Sequence, residues 1–116
     1  MPMIVMTLPI PPEKFSTWRA ALSEMAGARR EEFAAARGRQ GVTRQGVWVE
    51  QGADGPREIL VLETDDPARA FELMATSQEP FDVWLRKMLL DVYALDLTQQ
   101  AGPLPEQVLD WSASEA

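Results

Sequence analysis

The chain has 116 residues, 46% of them apolar, which is the size of one domain with a core of its own. It contains no cysteine and no histidine, which excludes disulfides, thiolate zinc sites, a cysteine nucleophile, an imidazole base and a histidine-ligated haem. Eighteen acidic against eleven basic side chains give a net charge of −7, a poor match to phosphate backbones, so nucleic acid is not expected. Without Cys or His, and with no loop built for a hard cation, neither metal nor cofactor is expected.

Residues 1–12 are apolar, but prolines stand at positions 2, 9, 11 and 12 and no basic residue precedes the run. This is unlike a signal peptide. No apolar stretch approaches the roughly 18 residues of a membrane span, so the expectation is a cytoplasmic protein with no membrane partner. Within this segment, residues 3–8 form a short run, nearly all apolar, that Pro9 ends. That reads as a strand buried on both faces.

Residues 13–39 lack proline and are rich in Ala, Glu, Arg and Leu, all good helix formers. Phe15, Trp18, Leu22 and Met25 recur at helical spacing and predict one long helix, loosened at Gly27 and stopped by Gly38 and Gly41. Its Arg29-Arg30-Glu31-Glu32 run reads as a solvated face. Residues 42–51 alternate in part: Val47 and Val49 share one face, and Arg44, Gly46, Trp48 and Glu50 the other. Gly52 to Pro56 has turn composition, and residues 58–64 follow with Ile59, Leu60, Val61 and Leu62 apolar on both faces. Strand, turn and strand make a hairpin.

Asp66-Pro67 is a strong helix start, with an N-cap carboxylate ahead of a proline in the first turn. Pro80 opens a second helix, carrying Phe81, Trp84, Leu85, Met88 and Leu89. Residues 93–98 alternate through Tyr93, Leu95 and Leu97 and predict a last strand. The order strand, helix, strand, strand, helix pair, strand is that of an α+β, ferredoxin-like βαββαβ domain with a four-stranded antiparallel sheet. Residues 1–100 are expected to form this domain, and residues 101–116 a tail that packs on it or on a partner. In that topology the first and third strands are central.

Both of those strands put apolar side chains on both faces, whereas a sheet facing water alternates. A second copy packed sheet on sheet is the expected cover, since two-fold homodimers are the commonest closed assembly. The alternative cover is the tail, with Leu104, Val108, Leu109 and Trp111.

Several segments carry a family likeness: Arg29-Arg30-Glu31, Gly41-Val42-Thr43-Arg44 with Val47-Trp48, Asp65-Asp66-Pro67-Ala68, and residues 77–84. Together they resemble the dimeric α/β-barrel superfamily, and within it a bacterial group of unknown function. The resemblance implies a homodimer and spans nearly the whole chain, but it names no reaction. It also implies a His-Gly pair before the last strand, where this chain has Tyr93-Ala94.

Candidate chemistry rests on few residues. Tyr93 is the single phenol, a candidate hydrogen-bond donor in a pocket or else a core aromatic with one backbone partner. Trp18, Trp48 and Trp84 are candidate walls for a flat apolar ligand, although Trp18 and Trp84 lie on apolar helix stripes that predict packing, and Trp48 fits an interface as well as a cavity wall. Arg44 and Glu50 share a face with Trp48, either as a clamp for a polar group or as a solvated edge. Glu63 is a candidate base if its strand position buries it. The expected function is binding of a small, largely apolar or aromatic molecule between sheet and helices. The alternatives are a non-catalytic dimeric interaction module and a cofactor-independent, monooxygenase-like enzyme.

Overall fold

The computed structural model describes residues 3–97 and 105–113. Strand β1 spans Met3–Pro9, and a single 3₁₀ turn at Pro12–Lys14 leads into helix α1, Phe15–Ala26. Helix α2 (Arg30–Gln40), strands β2 (Val42–Gly52) and β3 (Gly55–Thr64), and helices α3 (Pro67–Thr76) and α4 (Pro80–Tyr93) follow. The sheet is three-stranded and antiparallel, in the order β1-β3-β2. The fold is therefore α+β, with four helices among the described residues.

Two sequence expectations are corrected. The long helix is two helices: the chain breaks at Gly27 (φ −114°, ψ −96°), and the Gly27 and Arg29 amides both donate to the Glu24 carbonyl. Arg29 clasps the break, with its guanidinium bonded to Glu24 and, at 3.0 Å, to Glu32, and lying 4.5 Å from the centre of the Trp84 ring. This residue of the supposed solvated run thus joins two helices to a third through a cation–π contact.

The second correction concerns the sheet, which is not the ferredoxin-like four-stranded one. Tyr93 is the last residue of α4, and Ala94 caps it in the left-handed region (φ 56°). Ala94 and Leu95 donate backward to the Leu90 and Leu89 carbonyls, a helix-ending pattern that satisfies the last free acceptors. Residues 94–97 form no strand, and Thr98 lies outside the described residues. Tyr93 belongs to the helical series Leu85, Met88, Leu89 and Val92, and Leu95 and Leu97 alone are too few to hold a strand period. With no fourth strand among the described residues, β1 is an edge and only β3 is central.

Other expectations stand as observed. The β2–β3 hairpin turns between Gly52 and Gly55, with Gly55 at φ 110°. Asp66 caps α3 by accepting from the Arg69 amide at 3.1 Å, with Pro67 in the first turn. Gly41 ends α2 at φ 72°, where a β-carbon is disfavoured.

All four helices pack on one face of the sheet. Ile4, Val42 and Leu62 meet Ala70 and Met74 of α3 there, while Met25, Ala36, Phe81 and Leu85 join α1, α2 and α4. A bulge at Thr43 lets Val42 and Val47 both face inward although their numbering differs by an odd step. The other face has no cover among the described residues. Across it run Met3, Val5, Ile59, Val61 and Trp48, with Val5 opposite Val61 and Trp48 opposite Ile59. Trp48 is 57% exposed. The described part of the tail, residues 105–113, does not cover this face: Val108, Leu109 and Trp111 are exposed, the last at 75%, and Leu104 lies outside the described residues.

Candidate functional site

Between the sheet and the helices lies a cavity of about 70 Å³. Its floor is the inner face of the sheet, in three cross-strand rows: Leu8 and Glu58, then Met6, Leu60 and Val47, then Leu62 and Gln45. Its walls come from α1, α2, α3, α4 and the stretch after α4. Met6, Met25, Met74 and Met88, four of the chain's six methionines, line it. Thioether side chains are flexible and polarisable, so such walls adapt to what lies between them.

Four polar side chains also line the cavity: Glu58, Tyr93, Gln45 and Arg37. Glu58 is charged, central in the sheet and only 5% exposed. It points inward because it shares strand parity with Leu60 and Leu62. Trp18 Nε1 donates to its Oε1 at 2.5 Å, and the Tyr93 hydroxyl donates to the same oxygen. Both bonds fall on Oε1, so Oε2 has no hydrogen-bond partner among the described residues. Burial and the adjoining Glu58 carboxylate push the Tyr93 phenol well above its usual pKa, because an anion there would be poorly solvated and repelled. The phenol is a neutral donor committed to Glu58.

Arg37 lies toward the opposite end. Gln45 is level with Leu62, four residues along β3 from Glu58, or about 13 Å at the rise of a strand. Arg37 donates Nε to Gln45 Oε1 and Nη1 to Gln40 Oε1, each at 2.6 Å, and its guanidinium stands 5.0 Å from the Phe33 ring centre. Among the described residues, no carboxylate comes within ion-pair distance of it. Desolvation lowers its pKa to about 10, only partly offset by the field of Asp82.

Asp82 stands behind this end of the cavity. It is 1% exposed and accepts from Arg39 Nη2 at 3.0 Å, Gln40 Nε2 at 3.2 Å and Ser77 Oγ at 2.6 Å. Gln40 thus receives from Arg37 and gives to Asp82. The chain of bonds holds the guanidinium in place from behind.

The residues singled out in the sequence divide between the two faces of the sheet. Tyr93 reaches the cavity, and Trp18 supports it through Glu58. Trp48, Arg44 and Glu50 lie on the open face, away from the cavity, as does Glu63, which accepts from Thr43 Oγ1 at 3.0 Å. Trp84 packs beside Phe81 in the helical layer, with ring centres 5.7 Å apart, under Arg29. Glu58 and Arg37 were not singled out, although each carries a signal. Glu58 is in phase with the more buried set of a central strand, and Arg37 continues the inward stripe Phe33, Ala36 and Gln40 of α2.

Among the described residues, no group of three or more acidic side chains is placed to hold a metal, and no helix is long and apolar enough to cross a membrane. No family model, curated protein or solved structure matches this chain.

Proposed function

We propose that this protein binds a small, largely apolar molecule in the cavity between sheet and helices, and does so as a homodimer packed through the open sheet face. The observation that carries the reading is the buried Glu58, whose Oε1 is held by Trp18 and Tyr93 while Oε2 is left without a partner beside the cavity. A carboxylate in an apolar core without a counter-ion is costly, and accepting from two neutral donors does not require its charge. Methionine walls with a few fixed polar groups are the composition of a ligand site.

The dimer is supported by the charge of the open face. Arg44 stands opposite Glu63 and Arg57 opposite Glu50, so opposite charges frame the apolar middle and cancel. In a chain of net charge −7 this neutral, apolar face is where a second copy can approach without repulsion.

A second reading, a non-catalytic dimeric interaction module, is favoured by the cavity's size. About 70 Å³ is well below the ~300 Å³ of ordinary small-molecule pockets. The enzyme reading has less support, because the only tyrosine spends its proton on Glu58. Native mass spectrometry of the protein as purified, at low-micromolar concentration, separates these readings. A dimer carrying extra mass is the expected result. A bare dimer that takes up no small molecule would favour the module, and a monomer would overturn the sheet-on-sheet assembly.

A further inference from the structure

We infer that Arg37 anchors a carboxylate, and that the cavity's ligand is a short amphipathic monocarboxylic acid lying with its apolar chain against the methionine walls. The inference rests on the cavity being a binding site and adds the chemistry of what it takes.

A guanidinium offers five N–H donors. Arg37 spends one on Gln45 and one on Gln40, both neutral amide oxygens, and Nη2 has no partner among the described residues. The amides orient the fork without neutralising it. Asp82 is reached only through Gln40, and its nearest cation is Arg39. A partly buried cation bordering an apolar cavity gains most from an anion that presents two oxygens to its free edge.

Polarity along the cavity sets the ligand's direction. Glu58 repels an anion at its own end, so the carboxylate belongs at Arg37 and the tail points toward Glu58. Oε2 is an acceptor without a donor there, so a hydroxyl at the far end of the tail should improve the fit. Length is bounded by volume, since the cavity of about 70 Å³ is well below the ~300 Å³ of ordinary small-molecule pockets. A chain of about four carbons therefore already requires the methionines to shift, which their flexibility permits.

The test is a titration of protein carrying ¹³C-labelled methionine methyls with butanoate, 4-hydroxybutanoate and butan-1-ol, at neutral pH. Met6, Met25, Met74 and Met88 report the cavity, and Met3, on the open face, is the internal control. Both acids should move the four cavity signals and leave Met3 unmoved, with butanoate binding at least tenfold tighter than butan-1-ol and 4-hydroxybutanoate tighter still. Arg37→Met should erase the advantage of acid over alcohol while the alcohol still binds. Equal affinity for butanoate and butan-1-ol in the parent protein would overturn the role of Arg37 and leave the cavity standing as a site. No shift with any of the three would overturn both. The comparison within the parent protein does not depend on how well the Arg37→Met variant folds.

Discussion

The six-membered ring of Trp48 lies over Gly46, two residues back on the same strand, in the space a side chain would fill. A β-carbon built on Gly46 would stand 2.6 Å from Trp48 Cη2 and 2.8 Å from Cζ3. The glycine is a bed for the indole, which fixes an exposed aromatic on edge strand β2, beside the apolar Ile59 of the open face. Gly46→Ala must push the ring away. Because the ring is the outer end of an exposed side chain, folding stability should change by less than about 1 kcal/mol. Association should weaken at least tenfold, as it should in Trp48→Ala, because aromatic anchors dominate interfaces. Sedimentation velocity over a concentration series measures this. Unchanged association in Gly46→Ala would remove Trp48 from the interface.

Glu58 can be separated into its roles as acceptor and as charge. Glu58→Ala strands the Trp18 indole N–H and the Tyr93 hydroxyl in the core, which should cost about 3 kcal/mol in urea unfolding. Glu58→Gln keeps an acceptor oxygen for both donors and should cost about 1 kcal/mol. Equal losses in the two variants would mean that the donors find water, and that Glu58 is not their structural partner.

Much of this fold was legible before any coordinates, because its strands and caps are local. A short apolar run fenced by prolines, a glycine-rich hairpin and an Asp-Pro helix start each settle their own segment. The uncovered face was also legible, since Ile59 and Val61 alternate with Leu60 and Leu62 and cannot all face one core. What escaped depends on competition between periods and on pairing. Tyr93 fits the helical series through Leu89 as well as it fits an alternation with Leu95, and the helix won because α4 already carried the pattern. Glu63 drew notice as the carboxylate that ends an apolar run, whereas Glu58, which begins it, is the buried one. Only the pairing of β3 between two neighbours shows that the even-numbered face is the inner one. Arg37 was hidden by composition: α2 is mostly charged, and its inward stripe shows only when Phe33, Ala36 and Gln40 are taken together.

Asp82 should be the most sensitive carboxylate of the helical layer. Three donors converge on it, from α2 and from the turn before α4. Asp82→Ala leaves Gln40 and Ser77 unsatisfied and should lower stability by about 2–4 kcal/mol. Asp82→Asn keeps one acceptor oxygen and should cost less than half of that. The Gln40 relay adds a consequence at a distance. With Asp82 gone, Gln40 no longer holds Arg37 from behind, so Asp82→Ala should weaken butanoate more than butan-1-ol in the methionine titration. Equal weakening would mean that the relay does not position the guanidinium.

Tyr93 offers a pH test free of interference, because it is the only tyrosine in the chain. An unperturbed phenol ionises near pH 10, and the folded protein raises that value through burial and through Glu58. Above pH ~10 the unfolded chain releases a proton that the folded chain retains, so folding loses stability as pH rises. The loss is at most about 1.4 kcal/mol per pH unit, and smaller where solvent reaches the half-buried ring. Below pH ~10 both states hold the proton and the phenol contributes no slope. Arg37 works in the opposite sense over part of this range, since its lowered pKa favours the folded state as pH rises. The difference between the parent and Tyr93→Phe cancels that contribution and isolates the phenol. Absorbance at the phenolate band should stay flat through pH ~10 in the native protein and rise in a single step only as the chain unfolds. A reversible titration near pH 10 with the fold intact would show Tyr93 in contact with water and its bond to Glu58 absent.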